Sequence, residues 1–138
     1  MAKKTDRIII DTNLWISFLI NNNFKNLDDK IKRGRIKILF SLELMEEFLT
    51  VVNRPKFKKY FSKVEVEHLV DLFDIYGEMI QVKTSVNLCR DPKDNFLLSL
   101  SIDGSAQFLI TGDKGLLAVK QTGNTKIITM SDYLTILQ

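Results

Sequence analysis

The sequence predicts an α/β fold in which a mainly parallel sheet is covered by helices on both faces. Short runs of β-branched and aromatic residues, Ile8-Ile9-Ile10 and Phe108-Leu109-Ile110 above all, read as buried parallel strands. Each run is followed by a helical pattern rather than by a hairpin turn. Strand-like and helix-like segments then alternate along the chain, with no linker, repeat or low-complexity stretch between them. At 138 residues, the expectation is one domain, 1–138, with a good core.

The elements follow in order. Arg7 to Ile10 is the first predicted strand. A helix from Thr12 to Ile20 carries Leu14, Trp15, Phe18 and Leu19 on one face, and Asn21-Asn22-Asn23 ends it. A short helix comes next, with Phe24, Leu27 and Ile31 at helical spacing and Gly34 as its stop. Ile36, Ile38 and Phe40 alternate with Lys37 and Leu39 as a second strand. Ser41 is placed to cap a helix from Leu42 to Val52 that turns Leu42, Met45, Phe48, Leu49 and Val52 inward. Arg54-Pro55 ends it, because the residue before proline disfavours the helical region.

Ser62-Lys63-Val64-Glu65 is a capping box, and the helix it opens runs to about Tyr76 and closes at Gly77. Met79 to Val82 reads as a third strand and Thr84 to Lys93 as a loop. A helix from Asp94 to Ile102 turns Phe96, Leu97 and Leu100 inward and ends at Gly104. The remaining elements are a strand from Phe108 to Ile110, a short helix from Lys114 to Val119, a strand from Lys126 to Ile128 and a helix from Ser131 to Leu137.

Composition narrows the chemistry. The net charge of +3 and pI near 9.0 tilt the chain only slightly toward anionic partners. The basic residues are clustered, however. Lys25 to Lys37 is one run, and Arg54 to Lys63 is a second that contains no acid and interleaves Phe57, Tyr60 and Phe61. The second run reads either as a track for a phosphate backbone or as solvated lysines around core aromatics. One cysteine, Cys89, leaves no internal disulfide or thiolate zinc cluster, and the lone His68 sits mid-helix as a surface or packing residue. The three isoleucines after Lys3-Lys4 are too few for a signal peptide, so the expected location is the cytoplasm, with no membrane span.

The acids carry the functional signal. Asp11 follows the first strand, and Asp113 follows Phe108-Leu109-Ile110-Thr111-Gly112. Ligands in open α/β sheets bind beyond the carboxyl ends of the strands, so both carboxylates are expected in one crevice. Like charges there repel, unless one takes a proton or a cation sits between them. Glu47, Asp91 and Asp94 offer further acid, and an all-oxygen cluster of that size points to a hard divalent metal. Each aspartate taken alone also fits a helix N-cap, and Asp91 fits that role best. Other chemistries fail on particular residues. Gly112-Asp113-Lys114-Gly115 is not a phosphate-binding loop, no Gly-x-Gly-x-x-Gly follows Ile10, and Asn13 stands where an aspartyl-phosphate mechanism needs a second acid.

Four segments stand in order over nearly the whole chain: Ile8-Ile9-Ile10-Asp11-Thr12-Asn13, Glu46-Glu47-Phe48 before Arg54-Pro55-Lys56-Phe57, Arg90-Asp91-Pro92-Lys93-Asp94, and Leu109-Ile110-Thr111-Gly112-Asp113-Lys114. Together they resemble the PIN-domain nucleases. The likeness is greatest to the VapC-like toxin components of toxin–antitoxin systems. It implies a three-layer α/β/α sandwich and Mg²⁺- or Mn²⁺-dependent cleavage of RNA. It implies an acidic set of Asp11, Glu47, Asp94 and Asp113, with Asn13 and Thr111 as supporting polar groups. It further implies an antitoxin partner and is compatible with a homodimer. Gly115 departs from the pattern where an acid is common, and Ser101 where a small apolar residue is common. Lys56, Lys58, Lys59 and Tyr60 are the expected RNA contacts. The alternatives are a weakly active or inactive PIN-fold module that binds RNA or protein, and a metal-dependent phosphatase of small substrates. The basic-aromatic run favours a polymer over the latter.

Overall fold

Ile8, Ile9 and Ile10 are at most 1% exposed, so the strand that carries them is covered on both faces. In the computed structural model, which describes residues 5–21 and 25–137, that strand is β1 (Asp6–Ile10). It is followed by α1 (Thr12–Asn21), α2 (Lys25–Lys32), β2 (Ile36–Phe40), α3 (Leu42–Val52), a 3-10 turn (Pro55–Phe57) and α4 (Lys63–Tyr76). The second half contains β3 (Glu78–Met79), α5 (Pro92–Asp103), β4 (Phe108–Ile110), α6 (Lys114–Val119), β5 (Gln121–Thr122), β6 (Thr125–Ile128) and α7 (Met130–Leu137). The expectation for Phe24 falls outside the described residues.

The six strands lie in the order β3-β2-β1-β4-β6-β5, all parallel except the β5–β6 pair. Alternate strand residues feed two cores. Ile8, Ile10, Ile36, Ile38 and Ile110 face a layer built by α1, α2, α3, α4 and α7. Ile9, Leu39, Leu109 and Ile127 face α5 and α6. This is the three-layer α/β arrangement expected from the sequence. The buried Tyr133 holds α7 against the sheet, donating its hydroxyl to Asp6 Oδ2 at 3.0 Å. Among the described residues no helix is long and apolar enough to cross a membrane.

The predicted caps are present. The Ser41 hydroxyl accepts from Leu44 N at 3.1 Å, and Ser62 and Glu65 form the reciprocal box. Several expectations need correction. The inward face of α3 is Leu44, Phe48 and Val52 with the half-buried Met45 and Leu49, whereas Leu42 is 58% exposed. Leu42 and Leu44 are equally apolar, so packing rather than pattern selects between them. An antiparallel β5–β6 hairpin, turning at Gly123 with φ of +54°, precedes the strand expected at Lys126.

The third strand is the largest difference, because it ends at Met79 rather than Val82. Beyond it Ile80 N still donates to Phe40 O, at the end of β2, at 2.7 Å, and from Lys83 onward the chain is bonded to α5 instead of to a strand. Asp103 Oδ2 accepts from Lys83 N at 2.6 Å and Thr84 N at 2.8 Å. The Ser99 hydroxyl accepts from Val86 N at 3.1 Å. Asn95 Oδ1 accepts from Cys89 N at 2.7 Å, and Asn95 Nδ2 donates to Cys89 O at 2.9 Å. Positions 95, 99 and 103 are four apart, so these polar side chains line one face of the helix and hold the segment to it.

Asp103→Ala is expected to lower stability at neutral pH by about 1 kcal/mol, the scale of a partly exposed hydrogen-bonded carboxylate. The hydroxyl and N–H of Thr84, with the N–H of Lys83, hold Asp103 below its ordinary value of 3.8. Its contribution is therefore present above that value and is lost as pH falls through the lower folded value. Thermal melts across pH check this, and parent and variant should converge in acid. A gap that persists in acid would assign the loss to packing instead.

Candidate active site

β1 and β4 are parallel neighbours in the register Ile10 with Ile110, so the residues that follow each strand emerge side by side. After β1 the chain builds outward through β2 and β3, then returns to place β4 on the other side of β1. This reversal is the topological switch point at which α/β sheets bind ligands. Asp11 N extends the ladder by donating to Ile110 O at 3.0 Å. The next residue of the neighbouring strand, Thr111, is fully buried. Its hydroxyl donates to Asp11 Oδ2 at 2.9 Å and accepts from Asp113 N at 3.0 Å. One side chain thus ties the two strand-end aspartates together.

Each aspartate also starts a helix. The Asp11 carboxylate accepts the backbone N–H groups of Asn13 and Thr12, at the start of α1. Asp113 Oδ2 accepts from Leu116 N at 2.9 Å as the cap of α6. Asp91 Oδ1 accepts from Lys93 N at 2.9 Å as the cap of α5. The capping alternative therefore holds for all three, and in Asp11 and Asp113 the same backbone geometry aims the carboxylate at the shared edge. Asn13 contributes through its N–H, while its side chain is exposed on α1.

Asp94 lies in the first turn of α5, beside Asp113. Burial pushes its carboxyl up to about 6, helped by the negative charges of Asp113, Asp91 and Asp11 and by a hydrogen bond shared with Asp113. Burial also raises Asp11, opposed by its bonds to Thr111, Asn13 and Thr12, with Asp113 adding to the rise. Glu47 approaches from α3 and is tied to the same turn of α5, its Oε1 lying 3.7 Å from Lys93 Nζ. Burial, together with Asp94, Asp113 and Asp91, pushes the nearby Cys89 thiol up, which keeps it protonated and a poor nucleophile.

The candidate donors suit a hard divalent ion, since each is a carboxylate or hydroxyl oxygen. As the side chains are turned, no three acidic, histidine or cysteine groups among the described residues stand close enough to share one ion. Three of the acids are turned onto different neighbours: Asp11 onto Thr111, Asp113 onto an α6 N–H group, Glu47 onto Lys93. Sequence reasoning missed two features here. A Cβ at Gly115 would sit 3.1 Å from Asp113 Oδ2 and 3.7 Å from Asp94 Oδ2, so this position borders the acids directly. Ser101, in contrast, is buried within α5 and donates to Leu97 O at 2.9 Å. The second feature is the pairing of Lys93 with Glu47, for which the available signal was a cation flanked in sequence by Asp91 and Asp94.

The basic-aromatic run is divided by packing. Phe61 is buried and stacks on the half-buried Phe57, with centroids 6.1 Å apart. Tyr60 is 49% exposed, with Lys59 Nζ 5.1 Å from its ring centroid. Lys56, Lys58 and Lys59 are exposed. The run shares a groove with Ile20, near the end of α1, whereas Asp11 lies at that helix's start. At 1.5 Å per residue, α1 separates the two by roughly 15 Å.

Asp94→Asn is expected to raise or preserve the melting temperature of the metal-free protein at pH 7. A carboxyl raised from 3.8 to about 6 keeps its proton in the folded state after the unfolded chain has lost it. Its ionisation therefore costs stability as pH rises through that window, and the cost persists above it. The variant should flatten the fall in stability of the parent between about pH 4 and 6. A variant that melts lower at pH 7, with the parent's pH profile, would make Asp94 a structural residue.

A PIN domain profile matches residues 7–115. The chain is 30% identical over 123 residues to an uncharacterized protein of Methanocaldococcus jannaschii, covering 87% of this chain and 79% of that one. Its fold is similar to that of PAE2754 from Pyrobaculum aerophilum, with a TM-score of 0.57 at 14% identity, over 96% of this chain and 90% of the other. It is also similar to a chain in the crystal structure of VapBC2 from Rickettsia felis bound to a DNA fragment from their promoter. That match has a TM-score of 0.55 at 18% identity, over 88% of this chain and 96% of the other. The profile match spans most of the chain and contains Asp11, Glu47, Asp94, Thr111 and Asp113, and the chain belongs to the PIN domain family.

Proposed function

We propose that this protein is a divalent-metal-dependent endoribonuclease and the toxin of a type II toxin–antitoxin pair. The observation that carries the reading is the bond from Thr111 that holds Asp11 beside Asp113, with Asp94 against them, at the switch point of a PIN-family sheet. The similarity in fold to a VapBC2 chain supports the antitoxin partner.

Asp11, Asp94 and Asp113, with Glu47 on the facing helix, are the residues to hold Mg²⁺ or Mn²⁺. Such an ion supplies a water of lowered pKa and stabilises charge on the phosphate oxygens. Thr111 keeps the Asp11 carboxylate in one orientation through a bond from a fully buried hydroxyl. Asp91 sets the first turn of α5, because its carbonyl accepts the N–H groups of Asp94 and Asn95. No side-chain nucleophile is needed, which suits a chain whose thiol is held protonated and whose only histidine is exposed.

Incubation of RNA with and without Mn²⁺ tests the reading, with a nucleotide monophosphate as the phosphatase control. Asp11→Asn and Asp113→Asn are expected to abolish cleavage while keeping stability within about 1 kcal/mol, since asparagine caps a helix as well as aspartate does. Metal-dependent release of phosphate from the monophosphate, with RNA left intact, would replace the nuclease by a phosphatase. A large loss of stability in either variant would assign that aspartate to the fold.

The exposed Lys56, Lys58 and Lys59, with the exposed ring of Tyr60, support a track for the RNA strand at some distance from the acids. The combined Lys56→Gln, Lys58→Gln and Lys59→Gln variant is expected to bind RNA more weakly. Its log–log salt slope should be shallower by roughly 0.7 for each phosphate of the single strand that is no longer neutralised. Mn²⁺ affinity should be unchanged. An unaltered slope would send the strand elsewhere, with the Lys25 to Lys37 run the next to test.

A further inference from the structure

We propose that Lys93 receives a substrate phosphate at the mouth of the acidic site, leaving Glu47 for the phosphodiester when RNA binds. The inference rests on the nuclease reading above and deepens it by naming a substrate-binding residue at the acids themselves. Its basis is the juxtaposition of Lys93 with Glu47 at 3.7 Å, on a turn of α5 that also carries Asp94. Among the described residues this is the one ion pair that engages any of the four acids. The others, Arg7 with Glu78, Lys32 with Asp28 and Arg33 with Asp29, involve none of them.

The backbone of Lys93 is fixed while its ammonium is not. Lys93 N is held by Asp91 Oδ1 at 2.9 Å, and Pro92 precedes it at the start of the helix. The side chain is 68% exposed, and that of Glu47 is 34% exposed. An ion pair this long and this wet contributes at most about 1 kcal/mol, so exchange to another anion is inexpensive. The four-carbon stem lets the ammonium swing without moving the helix.

The charge at the edge supplies the driving force. A phosphodiester is an anion, and Asp11, Asp94, Asp113 and Glu47 all repel it. One divalent cation does not neutralise four carboxylates, so the approaching phosphate still needs a nearby positive group. Lys93 is already held at that place by Glu47. Moving to the phosphate adds a charge-assisted hydrogen bond to the substrate and frees the Glu47 carboxylate in the same event. A lysine that merely neutralised Glu47 would leave RNA affinity alone, and this difference can be measured.

The test is binding of a single-stranded RNA oligonucleotide to the full chain in Ca²⁺ at several salt concentrations, with the RNA checked as intact afterwards. Lys93→Gln is expected to weaken binding about tenfold or more, the scale of removing one hydrogen bond to a charged group. The salt slope should become shallower by roughly 0.7. Lys93→Arg should retain both affinity and slope, since it keeps the charge. Mn²⁺ affinity of Lys93→Gln, measured without RNA, should be equal to the parent's or tighter. A Lys93→Gln slope equal to the parent's overturns the inference and leaves Lys93 as the counter-ion of Glu47. If the parent cleaves RNA with Mn²⁺ and the slope is unchanged, the nuclease reading stands without Lys93. If the parent binds RNA but never cleaves it while Lys93→Gln flattens the slope, the nuclease reading fails and the role of Lys93 in holding phosphate remains. A parent that binds no RNA overturns both.

Discussion

The parallel pairing of β1 with β4 is the constraint on which the acidic edge depends. Ile8 and Ile10 face one core and Ile9 faces the other, so the register is specified by burial on both sides. A slip of one residue would turn every one of these side chains to the wrong layer. In the native register Asp11 comes abreast of Thr111, where a buried hydroxyl can reach its carboxylate. The site geometry is thus a consequence of hydrophobic burial several residues away. The like charges of the acids oppose it.

The second support comes from the other face of the sheet. Asn95, Ser99 and Asp103 bind the segment that leads up to α5, and Asp91 then caps the helix from the end of that segment. These bonds settle where the first turn of α5 begins, and with it the positions of Lys93 and Asp94. Arg7 ties the same layers together. Its guanidinium donates to both Glu78 oxygens at 3.0 Å and to Gly104 O at 2.8 Å, which links β1, β3 and the end of α5. A strand-end aspartate and a helix-borne aspartate are brought together by two separate scaffolds, each with its own hydrogen bonds.

Much of this was legible in the residues, and the parts that were not share a cause. Runs such as Ile8-Ile9-Ile10 and caps such as Ser41 and Ser62 are local signals, written within a few positions of where they act. The early end of β3 is not local, because Met79 to Val82 has an acceptable strand pattern. Its partner β2 ends at Phe40, which takes the last bond from Ile80 N, and from Lys83 onward the chain is bonded by side chains of α5 that lie up to 20 residues away in sequence. The inward face of α3 was hidden in the same way, since Leu42 and Leu44 are equally apolar and only the neighbouring elements choose between them. In the site, the aspartates stood out because each follows a strand or opens a helix. The closeness of Gly115 to two of them and the pairing of Lys93 with Glu47 join separate elements and left little trace in either one.

The aspartates also show why a cap and a functional acid are hard to tell apart from sequence. Gathering carboxylates is unfavourable, and the rise of Asp94 to about 6 registers its burial first and then that repulsion. The opposing contributions are local. The N-terminal turns of α1 and α6 present backbone N–H groups to Asp11 and Asp113, and the partial positive charge of a helix start favours an anion there. Thr111 adds a hydroxyl, and Lys93 a nearby ammonium. Capping is therefore part of what allows several acids to share one edge. An aspartate supplies the helix with an acceptor and the site with a charge, whereas an asparagine supplies only the acceptor. The structural and functional roles separate in that one difference, and it lies in the charge rather than in the shape of the side chain.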